Sequence, residues 1–245
     1  MIIPNLVANS NSMKSILGIL LVAFSLNSCM LGVSGNGKVK EVTRQISEIS
    51  KIEASGMVEL TLIQGAPGLK IIADENLHEL IITEVHGDRL IIRTTKNIRE
   101  AKHFEIQVSA PEFKRLDISG AVSLHCQGTL KGDELKLETS GAAEVNLDLI
   151  FDDLDCEHSG ASEVELRGAV RDVRIVSSGA SDLKLFNLEV RNMRLVLSGA
   201  SEARINVSHE LSVEASGASE IRYKGNPKIT KTELSGASSI NPESN

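Results

Sequence analysis

The chain has 245 residues, a net charge of -7 and 41% hydrophobic residues, but only 2% aromatic residues. This length allows one extended domain or two smaller ones, and the core must be built from aliphatic side chains. The negative charge argues against binding of nucleic acid through its phosphates. The scarcity of aromatic rings removes the stacking platforms that single-stranded nucleic-acid binding needs, and it also weakens a role in sugar binding.

The N-terminus has the features of an export signal. Lys14 precedes an apolar run over residues 16–26, and small residues follow before Cys29. A run of about 11 residues is too short to span a bilayer, which needs about 20, whereas this order of features is typical of a secretory signal. We therefore predict a signal peptide over residues 1–28. Residues 1–12 fit neither signal nor fold, so Met13 is the expected start.

The end of this signal resembles the lipobox of bacterial lipoproteins, in the residues Leu26-Asn27-Ser28-Cys29. The resemblance implies cleavage before Cys29 and attachment of acyl chains such as palmitate to it. Several acyl chains give stable membrane attachment where one does not. Residues 29–37 then form a short tether, and we expect an outer-membrane protein that faces either the periplasm or the cell surface. An ordinary signal peptide that happens to contain a cysteine is the alternative.

Residues 38–115 predict β-structure of irregular spacing. Alternating residues 58–62, 69–73 and 104–108 indicate strands, and residues 80–85 and 89–94 flank a turn and indicate a hairpin. Ser55-Gly56 resembles an early copy of the repeat that follows, about three periods before Ser119. This part either continues the same architecture with longer turns or caps it against edge-to-edge aggregation.

Residues 116–245 contain a tetrapeptide, Ser-Gly-Ala-Ser or a close variant, at steps of 18 to 21 residues. Its first serines are Ser119, Ser140, Ser159, Ser178, Ser198, Ser216 and Ser235. A fixed short period indicates units that bury their apolar faces by stacking on one another. Apolar and polar residues alternate on both sides of each Ser-Gly, which predicts two short strands per period and a bend between them. The sequence thus predicts an all-β, single-stranded, right-handed parallel β-helix.

One outward position of the repeat carries an acid in five successive copies, which we call the acidic ladder: Glu144, Glu163, Asp182, Glu202 and Glu220. Neighbouring strands lie about 4.8 Å apart, so these carboxylates would repel one another unless a cation or a partner lay along them. The simpler interpretation is a solvated face screened by the basic residues Lys184, Arg204 and Arg222.

The other polar residues are weaker candidates for a functional site. Asp148, Asp152, Asp153 and Asp155 form a second acidic group, best interpreted as a polar turn because nothing makes these ligands converge on a metal. The six histidines are not at ligand spacing, and His158 is expected to be a hydrogen-bonded core residue. Cys126 and Cys156 lie at different phases of the repeat, so we expect two core thiols and no disulfide. We predict no metal site, no cofactor and no catalytic residue.

The sequence resembles the head GIN domain family, described as auto-transporter adhesins and common in Bacteroidetes. The resemblance covers residues 38–240 and rests on residues 52–56, 58–65 and 87–92 together with the Ser-Gly-Ala-Ser-Glu repeats. It implies a β-helix with a lipoprotein or secreted address and no established activity. The resemblance does not extend to the stalk and β-barrel anchor of true trimeric auto-transporters, so we do not expect literal auto-transport.

These observations predict a cell-envelope lipoprotein that acts as a non-enzymatic structural or binding module. Its expected partners are the membrane, through Cys29, and an unidentified protein or polysaccharide. The sequence leaves open whether the protein forms a homo-oligomer. One alternative is a calcium-dependent polysaccharide-binding or lyase-like β-helix protein that uses the acidic ladder. Another is an accessory in envelope stress or signalling, which the sequence does not separate from the first.

Overall fold

The computed structural model describes residues 32–243, so the predicted signal peptide and Cys29 lie outside the described residues. The all-β class is confirmed: within this range a single short 3-10 helix, Glu75–Leu80, accompanies thirteen strands. The strands are β1 Val33–Ser34, β2 Val39–Arg44, β3 Lys51–Gln64, β4 Gly68–Asp74, β5 Ile81–His86, β6 Arg89–Thr94, β7 Ile98–Glu100, β8 Phe104–Ala110, β9 Arg115–Gly199, β10 Glu202–Gly217, β11 Glu220–Lys224, β12 Lys228–Leu234 and β13 Ser239–Pro242.

Parallel pairing at the period of the repeat organises the second half of the chain. Strand β9 continues for 85 residues because the backbone bends at each Ser-Gly without leaving the ladder. Strand β10 pairs in parallel with β9, Glu202 opposite Asp182 and Gly217 opposite Gly199. Equivalent positions of successive repeats therefore lie side by side, and each outward position forms a column along the stack.

Strand β3 joins the two halves of the protein. Its residues pair in parallel with β9 on one side, Ser55 opposite Ser119. On the other side β3 pairs in parallel with β6 and β8. Ser55 and Ser119 are thus direct neighbours, although 64 residues separate them in sequence. Residues 65–114 lie on the far side of β3, where β6 and β8 pair with it in parallel as one irregular coil, so the coil with longer turns lies beside β3 and not between Ser55 and Ser119.

The sheets are mixed, so a wholly parallel, single-stranded arrangement over residues 38–245 is not confirmed. Strand β4 pairs antiparallel with both β2 and β8. Strands β5 and β6 form the expected antiparallel hairpin around Gly87. The physical reason is that short turns reverse the chain. The turn at residues 87–88 joins the paired strands β5 and β6, and the turn at residues 65–67 reverses the chain so that β4 runs antiparallel to β8, which lies between β3 and β4. Strand β1 pairs in parallel with β7 in a separate two-stranded sheet.

The core is a continuous set of aliphatic side chains between the strands. Leu124, Val145, Val164, Leu183 and Ala203 occupy one inward position in successive repeats and are all buried. Full burial of a Val or Leu side chain contributes about 1.5–3 kcal/mol. All seven residues of β12 are exposed, because this strand belongs to the last repeat and pairs only with β10 within residues 32–243.

Candidate functional site

The acidic ladder lies along one outward column, as the period predicted. Glu202 is opposite Asp182 in one neighbouring strand and Glu220 in the other. These side chains are exposed or half-buried, while the residues that follow them in sequence point into the core. The stack therefore brings the carboxylates of successive repeats together, and it leaves them accessible to solvent.

Basic side chains two residues further along each strand neutralise most of this ladder. Lys184 forms an ion pair with Glu163, which raises the pKa of its ammonium group, and its Nζ lies 3.7 Å from Asp182. Arg204 contacts Glu202 at 2.6 Å. Arg222 contacts Glu220 at 2.9 Å. The surface is thus a mixed acidic and basic face, with Glu144 the ladder residue that has no ion pair among the described residues. A binding role for the ladder stays a prediction.

The second acidic group is also paired with arginines from later repeats. The Arg167 Nε atom donates to Asp148 at 2.8 Å, which raises the pKa of Arg167 further. Arg171 contacts Asp152 and Asp153 at 3.1 and 3.2 Å. Arg174 contacts Asp155 at 2.7 Å. These carboxylates lie within strand β9 and are held in separate ion pairs, so the interpretation as a polar turn is wrong, whereas the expectation that they do not converge on one point holds.

A second charged column was missed by the sequence analysis. Six of the eight residues two positions before a Ser-Gly bend are acids, and Val176 and Val196 interrupt the column they form: Glu53, Asp117, Glu138, Glu157, Glu214 and Glu233. Arg89 bridges Glu53 and Asp117 at 3.0 and 3.2 Å. Lys136 donates to Glu138, which lowers the pKa of that carboxyl group, and Arg115 adds a second contact. The acid that stands two residues before six of the eight Ser-Gly bends was the available signal.

A shallow groove of about 450 Å³ runs between this second column and the bend serines. It is lined by four acids of the column, Glu53, Asp117, Glu138 and Glu157, and by Ser119, Ser140, Ser159 and Ser178. The serine hydroxyls at the bend make long hydrogen bonds to the preceding repeat, such as that of Ser178 Oγ to the His158 carbonyl at 3.5 Å. The groove is open and polar, which suits an extended partner more than a small enclosed substrate.

His158 is confirmed as a hydrogen-bonded core residue. It is 3% exposed, and its Nδ1 lies 2.8 Å from the hydroxyl of Thr139. Burial lowers the pKa of His158 to about 4, because the charged imidazolium would lose its hydration. Its Nε2 is buried without a hydrogen-bond partner, as is the hydroxyl of Ser162. The imidazole ring of His158 is therefore neutral in the folded core.

Both cysteines in the described range have free thiols. Cys156 is fully buried, and burial raises the pKa of its thiol. Cys126 lies at the edge of the core, where burial also raises its pKa, and its Sγ lies 3.1 Å from the carbonyl oxygen of Gly128. The expectation of two unlinked, core-packed thiols is confirmed.

Residues 32–243 contain neither a candidate metal cluster nor a membrane-spanning helix. Nowhere in this range do three His, Cys, Asp or Glu side chains gather closely enough to hold a metal ion. None of its helical structure is long and apolar enough to cross a membrane.

Solved structures of similar fold come from species of Bacteroides and Parabacteroides. A "putative adhesin" of Bacteroides fragilis is 23% identical, with a TM-score of 0.81, and the match covers 86% of this chain and all of that one. A "putative lipid binding protein" of Parabacteroides distasonis is 22% identical, with a TM-score of 0.70 and coverage of 86% and 99%. A "putative adhesin" of Parabacteroides merdae is 20% identical, with a TM-score of 0.66 and coverage of 87% and 100%. At these identities the likeness shows the fold alone.

No curated protein matches the chain. The family described as "Putative auto-transporter adhesin, head GIN domain" matches residues 48–227, which include β3, the whole of β9 and β10, the acidic ladder and all of the second column except Glu233. This match covers well over half of the sequence and confirms the resemblance seen in the repeats. The chain therefore belongs to the head GIN domain family.

Proposed function

We propose that this protein is a lipid-anchored, non-enzymatic, adhesin-like binding module of the cell envelope. Membership of a family named for adhesins indicates a cell-envelope or surface location. We further propose that residues 115–242 form a single-stranded, right-handed parallel β-helix, whose parallel pairing at one repeat per turn supports this description. A rigid stack of this kind holds its outward side chains in fixed positions.

The observation that carries the proposal is the pair of charged columns. Both run along the stack, and both alternate acids with bases that are held by ion pairs at 2.6 to 3.9 Å. Such faces are preorganised, so a partner does not have to order the side chains on binding. They fit an extended polymer or a protein surface with both signs of charge. Nothing in the described residues favours the calcium-dependent lyase alternative.

Binding is tested with bacteria that display the full chain, allowed to adhere to immobilised matrix proteins and to acidic and neutral polysaccharides. Reversing the charge of two bases beside the acidic ladder, with Lys184→Glu and Arg204→Glu, should reduce adherence to the true partner. Lys131→Glu, an exposed lysine outside both columns, is the matched control. Equal adherence of all three strains on every surface, at equal display levels, would refute the role of this face.

The membrane anchor needs its own test, because it rests on Cys29. We expect the full chain to partition into the detergent phase, and Cys29→Ser to abolish both this partition and metabolic labelling with palmitate. Protease treatment of intact cells then separates the surface from the periplasm. Incorporation of palmitate into the Cys29→Ser variant would show that another site is lipidated.

A further inference from the structure

The bend of one repeat is replaced by a longer loop that carries β7. Strand β3 pairs with β6 before its bend and with β8 after it. The bend of β3 and the loop between β6 and β8 are therefore equivalent parts of neighbouring repeats. Five residues separate Ala54 from Leu60 in β3, whereas thirteen separate their partners Ile92 and Ile106. The eight additional residues form a protruding loop at the N-terminal end of the stack.

The start of the described chain lies against this loop. Val33 donates its N–H to the carbonyl of Asn97 at 2.8 Å, and Gly35 donates to that of Glu100 at 2.7 Å. The Arg99 guanidinium donates to the hydroxyl of Ser34 at 2.9 Å. Residues 33–35, which follow Cys29 closely in sequence, are therefore hydrogen-bonded to this corner of the protein.

The corner carries a group of basic side chains, which we call the basic corner: Lys38, Lys96, Arg99 and Lys102. All four are exposed, and within residues 32–243 none of them forms an ion pair. Most bases of the repeats are instead paired with acids, as Arg167, Arg171 and Arg174 are. The acids of the corner are Asp74, which accepts from the Lys102 N–H at 2.9 Å, and Glu75 and Glu100. None of these three makes an ion pair within residues 32–243, so four bases against three acids leave the corner with a net charge of +1.

The rest of the stack has the opposite sign. Residues 116–243 carry 13 Lys and Arg against 21 Asp and Glu, while residues 32–115 carry 12 of each. An apolar side chain, Met57, which is 49% exposed, lines the same surface depression as Lys102 and the exposed Glu59. Positive charge beside an exposed apolar side chain is a combination that suits the headgroup region of a membrane.

If Cys29 is lipidated, the short stretch of chain between Cys29 and Gly32 keeps this corner close to the membrane. Three peptide units join Cys29 to Gly32, and they cannot span more than about 11 Å. The electrostatic field of an anionic membrane decays over about 10 Å at 0.1 M salt. The basic corner would thus lie within reach of the headgroups, whereas the acidic repeats extend away from β3 in the other direction.

We propose that the basic corner docks on anionic phospholipid headgroups and holds the acidic stack away from the bilayer. This proposal rests on the lipid anchor of the proposed function. Each Lys or Arg close to an anionic surface strengthens attachment about fivefold. The same field repels the net negative repeats, so the two ends of the protein differ in their preferred distance from the membrane.

Lysine footprinting of the full, lipidated chain tests the proposal without any substitution. The protein is reconstituted into vesicles of phosphatidylcholine, with or without phosphatidylglycerol, and treated with a water-soluble acylating reagent. We expect modification of Lys38, Lys96 and Lys102 to slow about fivefold in the anionic vesicles and to recover in high salt. Lys131 and Lys228, which are exposed and unpaired within the described residues, are the internal controls and should react equally in both.

The outcomes separate this proposal from the anchor itself. Protein that stays in solution contradicts lipidation of Cys29, whereas vesicle-bound protein with an unprotected basic corner contradicts only the docking. Equal protection in neutral vesicles, or by inorganic phosphate alone, would also overturn it. In a second arm, Lys96→Glu should reduce the protection of Lys38 and Lys102 severalfold, while Lys131→Glu should leave it unchanged.

Discussion

Gly179 lies directly against Gly160 of the preceding repeat, so closely that a β-carbon on Gly179 would overlap the carbonyl oxygen of Gly160. Both residues also have positive φ, +117° and +107°. The same contact joins Gly199 to Gly179 and Gly217 to Gly199. The bend therefore requires glycine for two independent reasons, its backbone angle and its lack of a side chain.

Gly179→Ala should lower the free energy of unfolding by about 3 kcal/mol, since it combines left-handed strain with a clash against backbone that cannot move alone. Gly87→Ala is the matched control. It has a φ of +63° but no atom within 4 Å of the new methyl group, so only about 1 kcal/mol is expected. Chemical denaturation of the two variants measures the difference. Equal losses would show that the stacking contact does not constrain the bend.

Acid should destabilise the protein through His158. Its folded pKa of about 4 is lower than the unfolded value of about 6.5. Between these values the unfolded chain binds a proton that the folded chain does not, so stability falls as the pH falls. The slope is about 1.4 kcal/mol per pH unit, and the total loss approaches about 3 kcal/mol below pH 4.

Unfolding of wild type and His158→Gln between about pH 6.5 and pH 4.5 checks this sign and slope. The variant should be less stable at neutral pH but should lose most of the pH dependence in this range. His209→Gln, at an exposed histidine, should keep the wild-type slope. A wild-type slope in His158→Gln would assign the acid sensitivity to other groups.

Calcium should change the thermal midpoint little in the wild type, because Lys184, Arg204 and Arg222 already supply positive charge beside the acidic ladder. Removing two of these bases with Lys184→Gln and Arg204→Gln should make the midpoint more sensitive to calcium. Thermal denaturation in calcium and in chelator measures both. A large calcium shift in the wild type that is lost in Glu163→Gln with Asp182→Asn would instead support the ladder as a cation site.

The two thiols of the described range, those of Cys126 and Cys156, should differ in how readily a thiol reagent reaches them. Cys156 is fully buried with a raised pKa, so a thiol reagent should modify it only when the protein unfolds. Cys126 is half-buried and should react slowly in the folded protein. Cys126→Ser should remove the slow reaction and leave the one that follows unfolding. Rapid modification of Cys156 in native buffer would contradict its place in the core.

The repeat period and the alternation within it determined much of this protein from sequence. They predicted the β-class, the hairpin around Gly87, the buried His158 and the outward column from Glu144 to Glu220. Local rules are sufficient for these features, because alternation and turn chemistry act over a few residues and a fixed period repeats them in register.

Only the tertiary structure decided what depends on distant parts of the chain. The sequence spacing of Ser55 and Ser119 left open where the residues between them lie, and the two serines are neighbours because β4 to β8 lie on the other side of β3. The bridge of Arg89 to Glu53 and Asp117 likewise needs strands that lie far apart in sequence. Alternation tells which face a side chain occupies, but which strands become neighbours depends on the packing of the whole core.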